Sequence, residues 1–196
     1  MKGIFTLCLL SILSLWKMTA QVKQAPKDKA VIYFICPFKI GGALRTNIYV
    51  DNKIIGKLSG KNYIRHECEP GDHIFWALAE NVDYVTADVE AGKIYVIDVI
   101  PHTGMLAKWI RLQPVEPDKY KMKRMQKIIA KRIPLTFSEE KLAKWQNYNN
   151  RTIIPVGLKD FEERQVKSFH LEPSWKFEPL ALTFKKSYKR SSYKLF

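Results

Sequence analysis

Between residues 30 and 112 the sequence alternates apolar and polar side chains with a period of two, and short turn-forming segments interrupt the alternation. In residues 62–69, for example, Ile64, His66 and Cys68 fall on one face and the residues between them on the other. Because successive side chains of a strand point to opposite faces, this period indicates β-strands. A chain with this pattern buries its apolar faces by packing one sheet against another.

Turn signals separate the predicted strands. Asp51-Asn52-Lys53 and Glu90-Ala91-Gly92 are typical of hairpins, and Pro70-Gly71 combines a residue with preset φ and one that tolerates positive φ. No helical pattern lies between them. The sequence therefore predicts a mainly β domain over residues 30–116, a seven- to eight-stranded antiparallel β-sandwich. The expected strands are residues 30–36, 46–50, 54–58, 62–69, 73–80, 84–89, 93–100 and 105–112.

Beyond Pro114 the apolar period becomes helical. Met122, Met125, Ile129 and Ile133 fall on one face of a helix, and lysine and arginine occupy the rest. This pattern predicts a basic amphipathic helix. Its apolar face either packs on the sandwich, the interpretation we favour, or lies on an anionic surface.

Further breaks divide the region after this helix. Pro134 ends it, and Thr136 with Glu139 fits a capping box that opens a second helix. Asn149-Asn150 is expected to close that helix, and a third is expected over residues 158–167. Residues 117–183 are thus predicted to form a mostly helical extension, and residues 184–196 a mobile basic aromatic tail.

Residues 1–20 read as a cleavable secretory signal. Lys2 precedes an apolar run of twelve residues, 4–15, and Ala20 offers a small residue at the cleavage position. The run is shorter than the roughly 20 residues that span a bilayer. We expect an exported protein, periplasmic or envelope-associated, with residues 21–29 as a linker; an uncleaved anchor is the alternative.

Basic residues are concentrated in the C-terminal part of the chain. Without Lys2 and Lys17 of the signal, 31 of the 33 basic residues remain against 19 acidic ones, a net charge of +12. Residues 21–116 hold 12 basic and 11 acidic residues, whereas residues 117–196 hold 19 and 8. A nearly neutral module is therefore followed by a region of net charge +11. Such a region favours an anionic partner.

Two cysteines remain after the signal, and both fall on predicted strands. An oxidising compartment permits a disulfide between Cys36 and Cys68. Two separate buried thiols are the alternative.

Parts of the predicted β domain resemble an exported bacterial family known as domain of unknown function 2846. The matching segments are AVIYF at 30–34 with Pro37, IYVDNKIIGKL at 48–58, EPGDH at 69–73 and VEAGKIY at 89–95. The resemblance covers residues 30–114 and implies a prealbumin-like β-sandwich. It implies no catalytic residue, and the basic C-terminal region lies outside it.

No residue constellation predicts catalysis, a cofactor or a metal. His66, Cys68 and His73 form the one cluster with metal-capable groups, but a fourth ligand is missing and His73 lies across a turn. Gly56 to Lys61 lacks the spacing of a phosphate-binding loop, and no Gly-x-Ser-x-Gly elbow occurs. We therefore expect a protein that is not an enzyme and binds no cofactor; an enzyme of unrecognised type is the alternative.

The leading hypothesis is a non-catalytic adaptor of the cell envelope whose basic region contacts an anionic component or a protein partner, with peripheral membrane contact and no nucleic acid. Its candidate contacts are Lys121, Arg124, Lys185, Lys186, Lys189 and Arg190. A second hypothesis is a small-ligand or peptide-binding module at the end loops of the sandwich, where Phe38, His102 and Met105 lie.

Overall fold

The computed structural model describes residues 24–38, 45–103, 108–115, 119–165, 176–178, 181–183 and 192–193. The predicted signal, residues 1–20, lies outside the described residues. So does the first part of the predicted linker.

The described chain consists mainly of strands, with two helices. The helices are α1 (Lys119–Lys131) and α2 (Glu139–Gln165). The strands are β1 (Ala30–Ile35), β2 (Thr46–Val50), β3 (Lys53–Leu58), β4 (Tyr63–Cys68), β5 (Gly71–Leu78), β6 (Val82–Val89), β7 (Ile94–Thr103), β8 (Lys108–Pro114), β9 (Lys176–Glu178), β10 (Ala181–Thr183) and β11 (Ser192–Tyr193).

The strands form two large sheets, which confirms the prediction of a mainly β chain. Sheet A has the order β4-β1-β7-β8, and sheet B has the order β11-β6-β5-β2-β3; β9 and β10 form a separate hairpin. One pairing departs from the antiparallel prediction, because β1 and β7 run parallel. Between them the chain crosses to sheet B as β2 and β3, returns as β4 and crosses again as β5 and β6, and it then enters sheet A along the direction of β1.

A single apolar core lies between the two sheets. Phe34 of β1 meets Phe75 of β5 with ring centroids 6.0 Å apart. Ile32, Val85 and Leu112 belong to the same buried cluster. The two sheets thus face each other in a sandwich-like arrangement. All six residues of β1 are buried, so this strand is covered on both of its faces.

Side chains of β6 and its preceding turn close one side of this arrangement. Asn81 accepts from the backbone N–H of Ile110 at 2.6 Å and donates to its carbonyl at 2.8 Å. Asp83 accepts from the N–H of Leu112 at 2.7 Å. These bonds use backbone groups on the outer edge of β8, so this edge of sheet A is tied to sheet B.

Helix α1 packs against the face of sheet A that points away from sheet B. Met125 and Ile129 are buried in the same cluster as the core strands. The Tyr63 hydroxyl donates to the carbonyl of Arg132 at 3.2 Å, and the N–H of Leu135 donates to the carbonyl of Tyr63 at 2.8 Å. The favoured prediction, that the apolar face of this helix packs on the sheet, agrees with these contacts.

Helix α2 covers the opposite face of sheet B. A second buried cluster joins Tyr49, Trp76 and Val82 of the sheet to Ile154 of the helix. The Tyr49 and Trp76 rings stack at 3.8 Å, and the Tyr84 hydroxyl donates to the carbonyl of Gly157 at 2.7 Å. Both helices are therefore layers of one folded unit.

The predicted boundaries of the second helix are wrong at both ends. The helix does not close at Asn149-Asn150 but continues as α2 to Gln165, through Pro155. Its start is capped by Ser138, whose Oγ accepts from the N–H of Lys141 at 3.4 Å, and Thr136 is not the cap. The cause at Asn149 is tertiary, because its Oδ1 accepts from the Tyr49 hydroxyl of β2. Its side-chain amide donates to the Trp145 carbonyl of the same helix.

Two further expectations are corrected. Ile133, expected on the apolar stripe of the first helix, follows the end of α1 and is 85% exposed. Strands β9, β10 and β11 lie where a helical extension and a mobile tail were predicted, and β11 pairs with β6. Residues 184–191 and 194–196 lie outside the described residues.

Candidate functional site

The exposed face of α1 carries a row of cations. Lys123, Lys127 and Lys131 are four residues apart and all exposed, whereas Met125 and Ile129 on the opposite side are buried. At about 1.5 Å per residue, the three lysines extend over about 12 Å of the helix. Exposed Gln126 and Ala130 lie among them. The same burial that fixes the apolar side of α1 thus turns the lysines outward.

No carboxylate of α1 offsets this row. Residues 119–132 contain seven basic residues and no acidic one, whereas residues 139–165 of α2 contain five of each. Within the described part of the chain, Lys123, Lys127 and Lys131 take part in no ion pair. By contrast, two basic residues of α2, Lys159 and Arg164, pair with carboxylates of their own helix. The excess charge of the C-terminal region therefore lies in α1 and in residues 166–196. We call exposed Lys123, Lys127, Lys131 and Arg132 the basic face.

Arg124, one of the predicted partner contacts, is engaged within the fold. Its guanidinium carbon lies 4.2 Å from the ring centroid of Phe38, and Nη2 donates to the carbonyl of Pro37 at 3.4 Å. Arg124 is only partly exposed. It ties α1 to the segment that follows β1.

The other predicted contacts are less fully described. Lys121 lies within α1, and its side chain is outside the described residues. Lys185, Lys186, Lys189 and Arg190 also lie outside them. The sequence-based prediction missed Lys123, Lys127 and Lys131 as candidate contacts, although their spacing of four residues was visible. The burial of Met125 and Ile129 shows that the three lysines face outward, and the contacts of Arg124 with Pro37 and Phe38 distinguish it from them.

A second group of cations lies over aromatic rings where the first turns of α2 contact β3. The Lys57 ammonium is 4.7 Å from the Trp145 ring centroid, and that of Lys141 is 5.2 Å from it. Phe137 packs edge-on against Trp145 at 5.2 Å and would clash with a Cβ at Gly56. These contacts cover the edge strand β3, and Gln146 accepts from the Ile54 N–H there at 2.9 Å. The arrangement protects a sheet edge.

The predicted loop site is described in part. Phe38 is 37% exposed, with Arg124 over its ring, and His102 is exposed at the end of β7 opposite Trp109 of β8. Met105 lies outside the described residues. By continuation of the parallel register, Phe38 and His102 fall at the same end of sheet A.

His73 holds a turn together. Its Nδ1 lies 2.7 Å from Asp51 Oδ2, and its Nε2 lies 2.8 Å from the carbonyl oxygen of Glu69. Both partners accept, so both ring nitrogens donate and the imidazole is held as its cation. The hydrogen bond that His73 donates to Asp51 raises the pKa of His73. Burial of Asp51 favours its neutral form, but the hydrogen bonds that it accepts from His73 and from the N–H of Ile74 prevail and lower the pKa of Asp51.

Of the remaining members of this cluster, Cys68 is buried and His66 is partly buried. Burial lowers the pKa of His66 to about 4 and raises that of Cys68 to about 11. Because both nitrogens of His73 are used, the ring has no lone pair for a metal. Among the described residues, no group of three or more His, Cys, Asp or Glu could hold a metal ion.

The alternative of two separate thiols is correct for Cys36 and Cys68, which are both free and buried. Ala30, at the start of β1, pairs with Cys68, whereas Cys36 follows Ile35 at the other end of that strand. Six residues of strand span about 20 Å. A disulfide requires Cα atoms within about 7 Å, so the pairing of the strands forbids the bridge.

Comparison of the chain with family models, with curated proteins and with solved structures finds no match. None of the helices in the described ranges combines the length and apolar character needed to cross a bilayer.

Proposed function

We propose that this chain is an exported, non-catalytic adaptor of the cell envelope, a β-sandwich that presents the basic face of α1 to an anionic partner. One observation carries the proposal: three exposed lysines stand in a row on a helix whose opposite side is buried in the core. A cation held this way on a packed helix contributes to binding without the ordering cost of a flexible segment.

Electrostatic attraction determines the expected affinity of the basic face for an anionic surface. A lysine or arginine near an anionic surface contributes about 1 kcal/mol, and the contribution falls with ionic strength. Three lysines together correspond to about 3 kcal/mol, or about a hundredfold in affinity.

Replacing the three lysines tests the proposal. In the variant Lys123→Gln, Lys127→Gln and Lys131→Gln, we expect retention on immobilised dextran sulfate to end at a clearly lower salt concentration. The matched control is Lys144→Gln, Arg151→Gln and Lys159→Gln, which removes the same charge from exposed positions on α2. Equal elution of the two variants would mean that net charge, and not the basic face, determines binding.

The predicted tail contacts have their own test. Replacing Lys185, Lys186, Lys189 and Arg190 by glutamine should weaken retention in the envelope fraction and make retention less sensitive to salt. Substitution is preferable to deletion because β11 pairs with β6. Unchanged retention would remove the tail from the proposal and leave α1.

Export is tested at the N-terminus. We expect the protein recovered from cells to begin at Gln21 and to fractionate with the periplasm or envelope. A protein that retains residues 1–20 in the membrane fraction would indicate the uncleaved anchor, and recovery from the cytoplasm would contradict the proposal.

The end-loop binding module remains the second candidate. The position of Phe38 and His102 at one end of sheet A favours it, but Arg124 already lies over the Phe38 ring. We therefore prefer the basic face.

A further inference from the structure

The residue that follows the basic face is exposed and apolar. Ile133 is 85% exposed, the highest value among the large hydrophobic side chains described, and it comes directly after Lys131 and Arg132. Pro134 and Leu135 next to it are partly buried. An isoleucine in this position gains nothing from water and contributes no contact to the core.

Cations and an exposed apolar side chain together fit one kind of surface. A soluble polyanion would use the lysines and leave the isoleucine in water. A bilayer with anionic headgroups uses both, because the cations attract the headgroups and the apolar side chain enters the boundary of the acyl chains. A second copy of this chain would bring the same cations against each other, so charge disfavours self-association here.

From these observations we propose that α1 lies along the surface of an anionic lipid bilayer, with Lys123, Lys127 and Lys131 at the headgroups and Ile133 inserted beside them. This inference rests on the proposed function and specifies its partner. The geometry is compatible with close approach, since Gln126 and Ala130 between the lysines are no bulkier than the lysines themselves.

Vesicle binding tests the inference with two probes. The probes are vesicles of phosphatidylglycerol and phosphatidylcholine, and soluble dextran sulfate. We expect Ile133→Ser to weaken vesicle binding about tenfold, in keeping with loss of part of an isoleucine transfer free energy. Binding to dextran sulfate should not change, and Ile133→Leu should bind vesicles as the unaltered protein does.

The matched control is Val156→Ser, which removes an exposed apolar side chain from α2, where it is 63% exposed. This variant should bind vesicles normally. Because both positions are exposed, neither change should affect folding. Normal vesicle binding by Ile133→Ser, or an equal loss in Val156→Ser, would overturn the inference.

The failure of this inference can be told apart from failure of the proposed function. If the lysine variant loses dextran sulfate binding while the unaltered protein ignores anionic vesicles, the basic face stands and its partner is not a bilayer. If the lysine variant binds both probes normally, both proposals fail.

Discussion

A buried hydrogen bond between Tyr49 and Asn149 joins sheet B to α2. The Tyr49 hydroxyl donates to Asn149 Oδ1 at 2.6 Å, although the two residues are a hundred positions apart. Tyr49→Phe leaves that oxygen without its donor, so we expect the free energy of unfolding to fall by about 1–2 kcal/mol. Urea unfolding measures it. Tyr148→Phe, at a residue 64% exposed, is the control and should change little; equal midpoints for both variants would contradict the assignment.

The lowered pKa of His66 predicts how the free energy of unfolding depends on pH. Its native pKa is lowered by burial to about 4, from 6.5. Between these values the unfolded chain binds a proton that the native chain does not, so stability must fall as the pH falls from about 6.5 to about 4. We expect a loss on the order of 2 kcal/mol, since partial exposure of the ring reduces the full effect.

Urea midpoints between pH 6.5 and 4.5 check this expectation. His73 contributes little to the pH dependence in this range. Its pKa is raised in the native state, so its ring is protonated in both the native and the unfolded chain over most of the range. His66→Gln should flatten the pH dependence, whereas His102→Gln, at an exposed position, should keep it. An unaltered slope in His66→Gln would show that another group titrates.

The sequence predicts well which face of a strand a residue lies on, because this depends only on the alternation within that strand. The alternation of Ile64, His66 and Cys68 on one face agrees with the structure, in which Ile64 pairs with Phe34 and His66 with Ile32. It does not predict whether Cys36 approaches Cys68, because the register between β1 and β4 sets that distance. Nor does the sequence show that Arg124 makes contacts within the fold while Lys127 is exposed, because the partners of Arg124 lie in the segment that follows β1.

At the scale of elements, propensity predicted where strands and helices occur better than where they end. Asn149-Asn150 and Pro155 are ordinary signs of a helix end, but α2 continues because its contacts with Tyr49, Trp76 and Tyr84 stabilise it. Ile133 shows the opposite error, since its spacing fits an apolar stripe while α1 ends before it. Both errors arise from contacts between elements, which the local pattern does not contain.

Gly157 permits the close approach of α2 to sheet B. A Cβ at this position would lie 2.8 Å from the Trp76 ring, which is fully buried. Alanine favours a helix by about 1 kcal/mol over glycine, but the rigid ring has no room to move. We therefore expect Gly157→Ala to lower the free energy of unfolding by about 1–3 kcal/mol. Calorimetry or urea unfolding measures it, and a variant more stable than the unaltered protein would contradict the contact.

At the scale of the whole molecule, the packing of the helices determines where the excess positive charge is exposed. The sequence predicts an imbalance between residues 21–116 and 117–196 but assigns it to an extension. In the structure α2 is balanced in charge and docked on sheet B, while α1 is docked on sheet A with its cations outward. The lysines of α1 therefore lie on a packed layer of the fold.

Hydrogen exchange followed by mass spectrometry tests most directly whether α1 is packed as a layer of the fold. If α1 is a layer of the fold, the backbone amides around Met125 and Ile129 should exchange only with global unfolding, as slowly as those of β1 and β7. If α1 were an attached extension, its amides would exchange much faster than the strands at the same pH and temperature. That second result would contradict the packing of α1 and, with it, the fixed outward row of lysines.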